Sequence, residues 1–251
     1  MLSQFSQPVI FAHRGASAYA PENTIAAFKL AVEQGADAIE LDVKLSFDDQ
    51  VVVIHDQTVD RTTTGSGRIK DMAYSELRYL DAGSHFDCAY EGESIPTLDE
   101  VFDNFGHQTF INVELTNYAS PLDELPAKIA QIVEQRQIKK SLLFSSFNPF
   151  VLIRIRRLLP NIPIALLALP GRKGTWARSW PGRLLKYQAL HPDVNDVTPA
   201  IVEQAHKHGY RVHVYTINQA DVLHRLKEMQ VDGIFTDDPL LARQVLSPVS
   251  I

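Results

Sequence analysis

The chain has 251 residues, 45% of them hydrophobic and 22% charged, so it can bury a sizeable core and fits either two small domains or one α/β barrel. A formal net charge of -6 and a pI near 5.8 argue against a nucleic-acid partner, because phosphate backbones select clustered Lys and Arg. One cysteine, Cys88, excludes an intramolecular disulfide framework, and no apolar stretch approaches the ~20 residues that span a bilayer, so no stable membrane insertion is expected.

In chain order, the apolar run VIFAH reads as a first strand that delivers His13 and Arg14 to its carboxyl end. Pro21, Glu22, Asn23 and Thr24 follow as a helix start, with Asn23 placed to cap the backbone N–H groups of residues 24–27. Further strands are expected at AIELDVKL, TFINVEL, LLFSSF, PIALLA, YQALHP, RVHVYT and DGIFTD. Helical periodicity occupies residues 24–34, 98–104, 125–135, 149–159, 198–207, 219–228 and 239–246, with a less regular segment near 175–185. Eight β-then-α units predict a TIM (β/α)8 barrel. The exception to the alternation is a ninth strand, VVVIHD, reached through a tight FDDQ turn and followed by a Gly-, Ser- and Thr-rich stretch. The expected organisation is a single catalytic barrel over residues 1–251, with a small cap inserted after the second strand at about 57–97. The first residues show neither a basic n-region nor a long apolar h-region, which makes the cytoplasm the expected location.

Period-2 alternation assigns the chemistry. In the second strand Ile39, Leu41, Val43 and Leu45 share the face that must meet helices, leaving Glu40, Asp42 and Lys44 aimed into the barrel. Alternate residues lie about 6.6 Å apart along a strand, so two such carboxylates can converge on one ion. In the next barrel strand Asn112, Glu114 and Thr116 share the inward face, and Glu114 becomes a third carboxylate. Lone buried charges are costly, so this set either closes a barrel end as a Glu/Asp–Lys network or binds a hard divalent cation, Mg²⁺ or Ca²⁺, in preference to zinc. His55 ends the ninth strand on the same rim as His13. Two imidazoles beside three carboxylates point to a general acid and a general base. Ser145 and Ser146 have no neighbouring base in sequence, and no serine nucleophile is expected.

The stretches AHRG…PENT, ELDVKLSFDDQVVVIHD, RTTTGSG, NVEL and QVDGIFTDDP occur in that order from His13 to Pro239, and together they resemble the glycerophosphodiester phosphodiesterases. The resemblance implies a TIM barrel with a short insertion, a divalent metal, and hydrolysis of a small glycerophosphodiester to glycerol 3-phosphate and an alcohol. It also implies that Glu40, Asp42 and Glu114 hold the metal, that His13 and His55 are the acid–base pair, and that Arg14 contacts phosphate. One position departs from the pattern. Family members often carry a lysine two residues after the third carboxylate, where this chain has Thr116; Lys44 is the candidate to supply the missing positive charge to substrate.

Two rival functions stay open on the sequence: a lysophospholipid or sphingolipid phosphodiesterase of the same fold, and a non-catalytic module that binds phosphodiesters. Two further features stand apart. His213 and Tyr215 share one face of their strand and either line the pocket or fill the barrel. The segment GRKGTWARSWPGR carries Trp176 and Trp180 among basic residues, as a solvated loop or as a contact for a head group or an anionic membrane surface.

Overall fold

Each apolar run forms a strand because its outward residues have a helix to cover them. The computed structural model describes residues 8–247. The strands are β1 (Val9–Ala12), β2 (Ala38–Leu45), β3 (Val51–Val53), β4 (Phe110–Leu115), β5 (Leu142–Ser146), β6 (Ile164–Ala168), β7 (Ala189–Pro192), β8 (Arg211–Val214) and β9 (Gly233–Thr236). Between and after them run α1 (Ile25–Glu33), α2 (Tyr74–Leu77), α3 (Leu98–Phe105), α4 (Leu125–Arg136), α5 (Pro149–Leu158), α6 (Trp180–Arg183), α7 (Pro199–Lys207), α8 (Ala220–Glu228) and α9 (Pro239–Leu246). Pairing proceeds β1-β2-β4-β5-β6-β7-β8-β9 and returns to β1, every step parallel, so the sheet closes into the expected TIM barrel. The extra strand β3 pairs antiparallel with the end of β2 and lies outside the ring.

Ile39, Leu41 and Val43 of β2, with Ile111, Val113 and Leu115 of β4, are fully buried between barrel and helices. Inside the barrel, Val9, Phe11, Ala38, Phe110, Leu143, Ala165, Ala189 and Phe235 form an apolar floor. Above that floor the inward positions turn polar, and the registers Glu40↔Asn112 and Asp42↔Glu114 set carboxylates side by side on neighbouring strands. The site therefore sits at the carboxyl ends of the strands, as in barrels generally.

The insertion has a small core of its own, made from Val52, Ile54, Val59, Ile69, Leu77, Ala82 and Ile95. Two local expectations change. Thr24, not Asn23, caps α1: its Oγ1 accepts from the Ala27 amide at 3.2 Å, and Asn23 adopts a left-handed backbone (φ 60) that turns its side chain into the barrel. The helix expected near 175–185 shortens to the single turn α6, because Pro181 lacks an amide donor and Gly182 weakens helix formation.

His191 and His213 are fully buried inside the barrel, with Nε2 of the first and Nδ1 of the second 3.1 Å apart, against Phe11 and Phe235. Burial pushes His213 down to about 3, helped by the Arg211 charge, and holds His191 well below the usual histidine range. The unfolded chain takes up protons on these rings below about 6.5, whereas the folded chain does not until far lower pH, so unfolding gains as pH falls. Stability is expected to drop by about 1.4 kcal/mol per pH unit per ring below that point. Calorimetric melting between pH 4 and pH 7 of the wild type and of His213→Gln should show this slope as the difference between the two proteins, since the upward-shifted buried carboxylates add a slope of opposite sign to both; parallel curves would clear the pair of the acid sensitivity.

Candidate active site

The HRG turn builds one wall. Gly15 has φ +87, and a Cβ there would lie 2.6 Å from the Ala27 backbone, so only glycine lets this turn rest on α1. Arg14 before it is also left-handed (φ 57), which aims its amide at Glu40 Oε2 at 2.9 Å. Its guanidinium donates to Glu22 Oε1 at 3.0 Å and places Nε 3.2 Å from Asp42 Oδ2. Asn23 meets the same carboxylate, with Nδ2 donating to Asp42 Oδ2 at 3.0 Å and Oδ1 accepting from the Asp42 amide at 3.3 Å.

Glu40, Asp42 and Glu114 bring one carboxylate oxygen each within 4.8 Å of one another. Tyr118 donates its hydroxyl to Glu114 Oε1 at 2.6 Å. Burial, reinforced by the Asp42 charge, pushes Glu114 up to about 8 and Glu40 well above the ordinary carboxylate range. Protons would satisfy this crowding at high cost to the charge; a divalent cation satisfies it directly. Asn112 supports that reading: its buried Oδ1 has no partner among the described residues, while Nδ2 donates to Ser145 Oγ at 2.9 Å. An all-oxygen set with an unpaired buried carbonyl fits a hard divalent cation.

Both predicted histidines stand on this rim, and each is held by a carboxylate. His13 Nδ1 lies 2.7 Å from Asp237 Oδ1, and His55 Nδ1 lies 2.7 Å from Asp56 Oδ1. A carboxylate at Nδ1 keeps the proton there in the neutral ring and leaves Nε2 as the reactive nitrogen. Asp237 is itself fixed by Asn218 and Ser17, and against its burial the His13 contact and these donors hold it low. Arg61 donates Nε to Asp56 Oδ2 at 2.7 Å and two guanidinium nitrogens to Glu22, so Asp56 is held far below the usual range, first by Arg61 and then by His55. His55 and Asp56, just after β3, and Arg61 of the insertion thus form one braced unit, tied through Glu22 to Arg14.

A cavity of about 250 Å³ joins these groups, lined by His13, Arg14, Glu40, His55, Asn112 and Glu114 on one side and by Phe147, Leu167, His191, Tyr215, Thr216 and Phe235 on the other. Tyr215 is therefore a pocket residue, whereas His213 packs below it. A larger cavity, about 440 Å³, opens among residues at the amino ends of the strands, including Arg156 and Arg211, and contains none of the carboxylates or rim histidines. Lys44 is buried: Nζ donates to Thr116 Oγ1 at 2.6 Å and to its carbonyl at 3.1 Å, and it is absent from the cavity lining. Burial lowers it to about 8, partly offset by Asp42 and Glu114.

Residues 13–241 match the family model described as the glycerophosphoryl diester phosphodiesterase family. The chain belongs to that family. A glycerophosphodiester phosphodiesterase from Caldanaerobacter subterraneus subsp. tengcongensis is 40% identical over 232 residues, covering 92% of this chain and 94% of that protein. The Bacillus subtilis glycerophosphodiester phosphodiesterase is 33% identical over 252 residues, covering 93% and 85%. Among solved structures, an Oleispira antarctica phosphodiesterase in complex with the product sn-glycerol-3-phosphate superposes with a TM-score of 0.84 at 33% identity, covering 95% of this chain and 96% of that one.

As a member of this family of phosphoric diester hydrolases, the chain keeps the predicted carboxylates and histidines on one rim. Sequence reasoning passed over Asp56, Asp237, Glu22, Arg61 and Tyr118. Asp56 had a visible signal, being the neighbour of His55 in VVVIHD; Asp237, 224 residues from its histidine, had only its place in the stretch QVDGIFTDDP, with nothing to pair it with His13.

Proposed function

We propose that the chain hydrolyses small glycerophosphodiesters to glycerol 3-phosphate and an alcohol, with His13 and His55 as acid and base and Glu40, Asp42 and Glu114 as metal ligands. The observation that carries this reading is that both carboxylate-braced imidazoles and two of the three clustered carboxylates line one cavity. The product held by the Oleispira antarctica neighbour fits the same substrate class. Glu40, Asp42 and Glu114, with Asn112 Oδ1 beside them, would hold the cation, for which the oxygen donors suit Mg²⁺ or Ca²⁺; when bound it polarises phosphate oxygens and neutralises the carboxylates.

Arg14 binds and orients the phosphate, since the residue lines the cavity and its guanidinium is fixed by Glu22 and Asp42. One imidazole, through Nε2, removes a proton from the oxygen that forms the new bond to phosphorus, either that of water or that of the glycerol 2-hydroxyl, whose cyclic ester water then opens. The other gives its proton to the oxygen of the departing alcohol as the P–O bond breaks. Lys44 lies where its ammonium adds positive potential beside Asp42 and Glu114, the charge that a lysine at Thr116 would supply. The barrel and the insertion at about 57–97 act as one catalytic domain, because Arg61 of the insertion braces Asp56 beside His55 and grips Glu22 beside Arg14. The cytoplasm is its proposed place of action, which a single cysteine, exposed and unpaired, suits. Among the described residues no helix is long and apolar enough to cross a membrane.

The test is release of glycerol 3-phosphate from glycerophosphocholine and glycerophosphoethanolamine, in chelator and then in Mg²⁺ or Ca²⁺. Release should vanish in chelator and return with one of the cations. Ligand binding with no hydrolysis under any condition would favour the non-catalytic module, and release indifferent to chelator would remove the metal.

A further inference from the structure

We infer that the loop between β6 and α6, with the start of the chain beyond it, docks on a bilayer surface that carries anionic lipid, and so holds the cavity mouth toward the membrane. From Leu169 to Tyr187 the sequence has five basic residues and no acidic one, in a chain whose formal net charge is -6. The same segment exposes large apolar side chains: Leu169 at 42%, Trp176 at 38%, Trp180 at 66% and Leu184 at 71%. Soluble surfaces do not ordinarily gather two tryptophans and two leucines with a run of cations. That pairing of apolar and indole groups with Lys and Arg is the chemistry that anionic head groups and the acyl boundary select.

The segment presents these groups from a fixed frame. Arg178 spends its guanidinium inside the loop, donating to Asp196 at 2.9 Å, to the Leu169 carbonyl at 2.9 Å and to the Gly171 carbonyl at 2.6 Å, while the Gly171 amide donates to Asp196 at 2.7 Å. Gly174 packs so tightly that a Cβ would lie 1.8 Å from the Leu169 carbonyl oxygen. The exposed Trp and Leu side chains are therefore not a collapsed core awaiting a partner element, and the exposed Arg172 and Lys173 remain available to phosphate head groups. The loop leaves the carboxyl end of β6, whose Leu167 lines the catalytic cavity and whose Ala168 carbonyl accepts from the Tyr215 hydroxyl at 2.7 Å; the patch and the cavity open on the same face. Phe150 and Leu122, 68% and 80% exposed, follow β5 and β4 on that face as well. A twofold pairing of this segment with itself would set its cations against one another, so charge favours an anionic lipid surface over patch-to-patch dimers, and the inference does not depend on which ester is cleaved.

Trp176 and Trp180 are the only tryptophans in the sequence, so intrinsic fluorescence reads the patch directly. Full-length protein is titrated with vesicles of phosphatidylcholine alone and of equal parts phosphatidylcholine and phosphatidylglycerol, following emission wavelength and co-sedimentation. A blue shift and pelleting with the anionic vesicles, reversed by salt, are expected. Arg172→Gln with Lys173→Gln retains both reporters and should weaken binding roughly fivefold per charge removed. Hydrolysis of a water-soluble diester should stay at the wild-type level in that variant, which also certifies its fold. Three results overturn the inference: no shift and no pelleting at low salt, equal binding to the neutral vesicles, or undiminished binding by the double variant. Concentration-dependent dimers in sedimentation velocity that Trp180→Ala abolishes would also overturn it, assigning the patch to a second copy of the chain.

Discussion

Alanine at His13 or at His55 is expected to lower kcat by about two to four orders of magnitude, the usual scale for losing a general acid or base. Cation affinity should stay near wild type, because neither ring belongs to the carboxylate cluster. The carboxylate braces sharpen this expectation. Asp56 holds His55 at Nδ1 and is itself gripped by Arg61, so Asp56→Asn should reproduce much of the His55→Ala loss, and the double variant should add little to either. Two histidines that act on opposite sides of one displacement should likewise lose less together than the sum of their separate effects. The measurement is kcat on a diester with a poor leaving group, paired with calorimetric cation titration. A variant that turns over such a diester at the wild-type rate removes its histidine from the mechanism.

Glu40→Gln is expected to give two effects of opposite sign. Glu40 is buried beside Asp42 and Glu114, and burial followed by these two charges drives its carboxyl upward. The amide preserves the shape and the acceptor for the Arg14 amide but removes one of the charges that attract a hard cation, so cation affinity and metal-supported activity should fall sharply. In chelator the same substitution relieves repulsion among three crowded carboxylates, and the melting temperature should rise above that of the wild type under those conditions. Added cation should then stabilise the wild type far more than the variant, since stabilisation follows affinity. Thermal melts of both proteins, with chelator and across a cation titration, decide it. Equal cation-induced stabilisation of the two proteins would place the metal elsewhere.

What the sequence determined by itself was whatever depends on one strand at a time. Side chains alternate along a strand with a fixed period of two, so Glu40, Asp42, Lys44 and Glu114 were bound to share the inward face once Ile39, Leu41 and Val43 had claimed the helices. The eight barrel strands, the extra strand that leads to His55 two residues past its end and the helices between them were legible for the same reason, since each is a local pattern ended by its own turn residues. The resemblance of five ordered stretches to a known family added the reaction, which periodicity alone cannot name. Only the closed barrel decided who holds what. His13 and Asp237 are 224 residues apart and meet because β1 pairs with β9 in the register Ala12↔Thr236, a long-range match that no local pattern contains. Arg61 reaches Glu22 across 39 residues because the insertion folds back over the HRG turn, and Asn23 gives up a helix cap that Thr24 can serve in order to meet Asp42. A side chain's face follows from backbone geometry within a few residues, whereas its partner follows from where closure of the whole sheet places a second strand, and that placement belongs to the packed core as a unit.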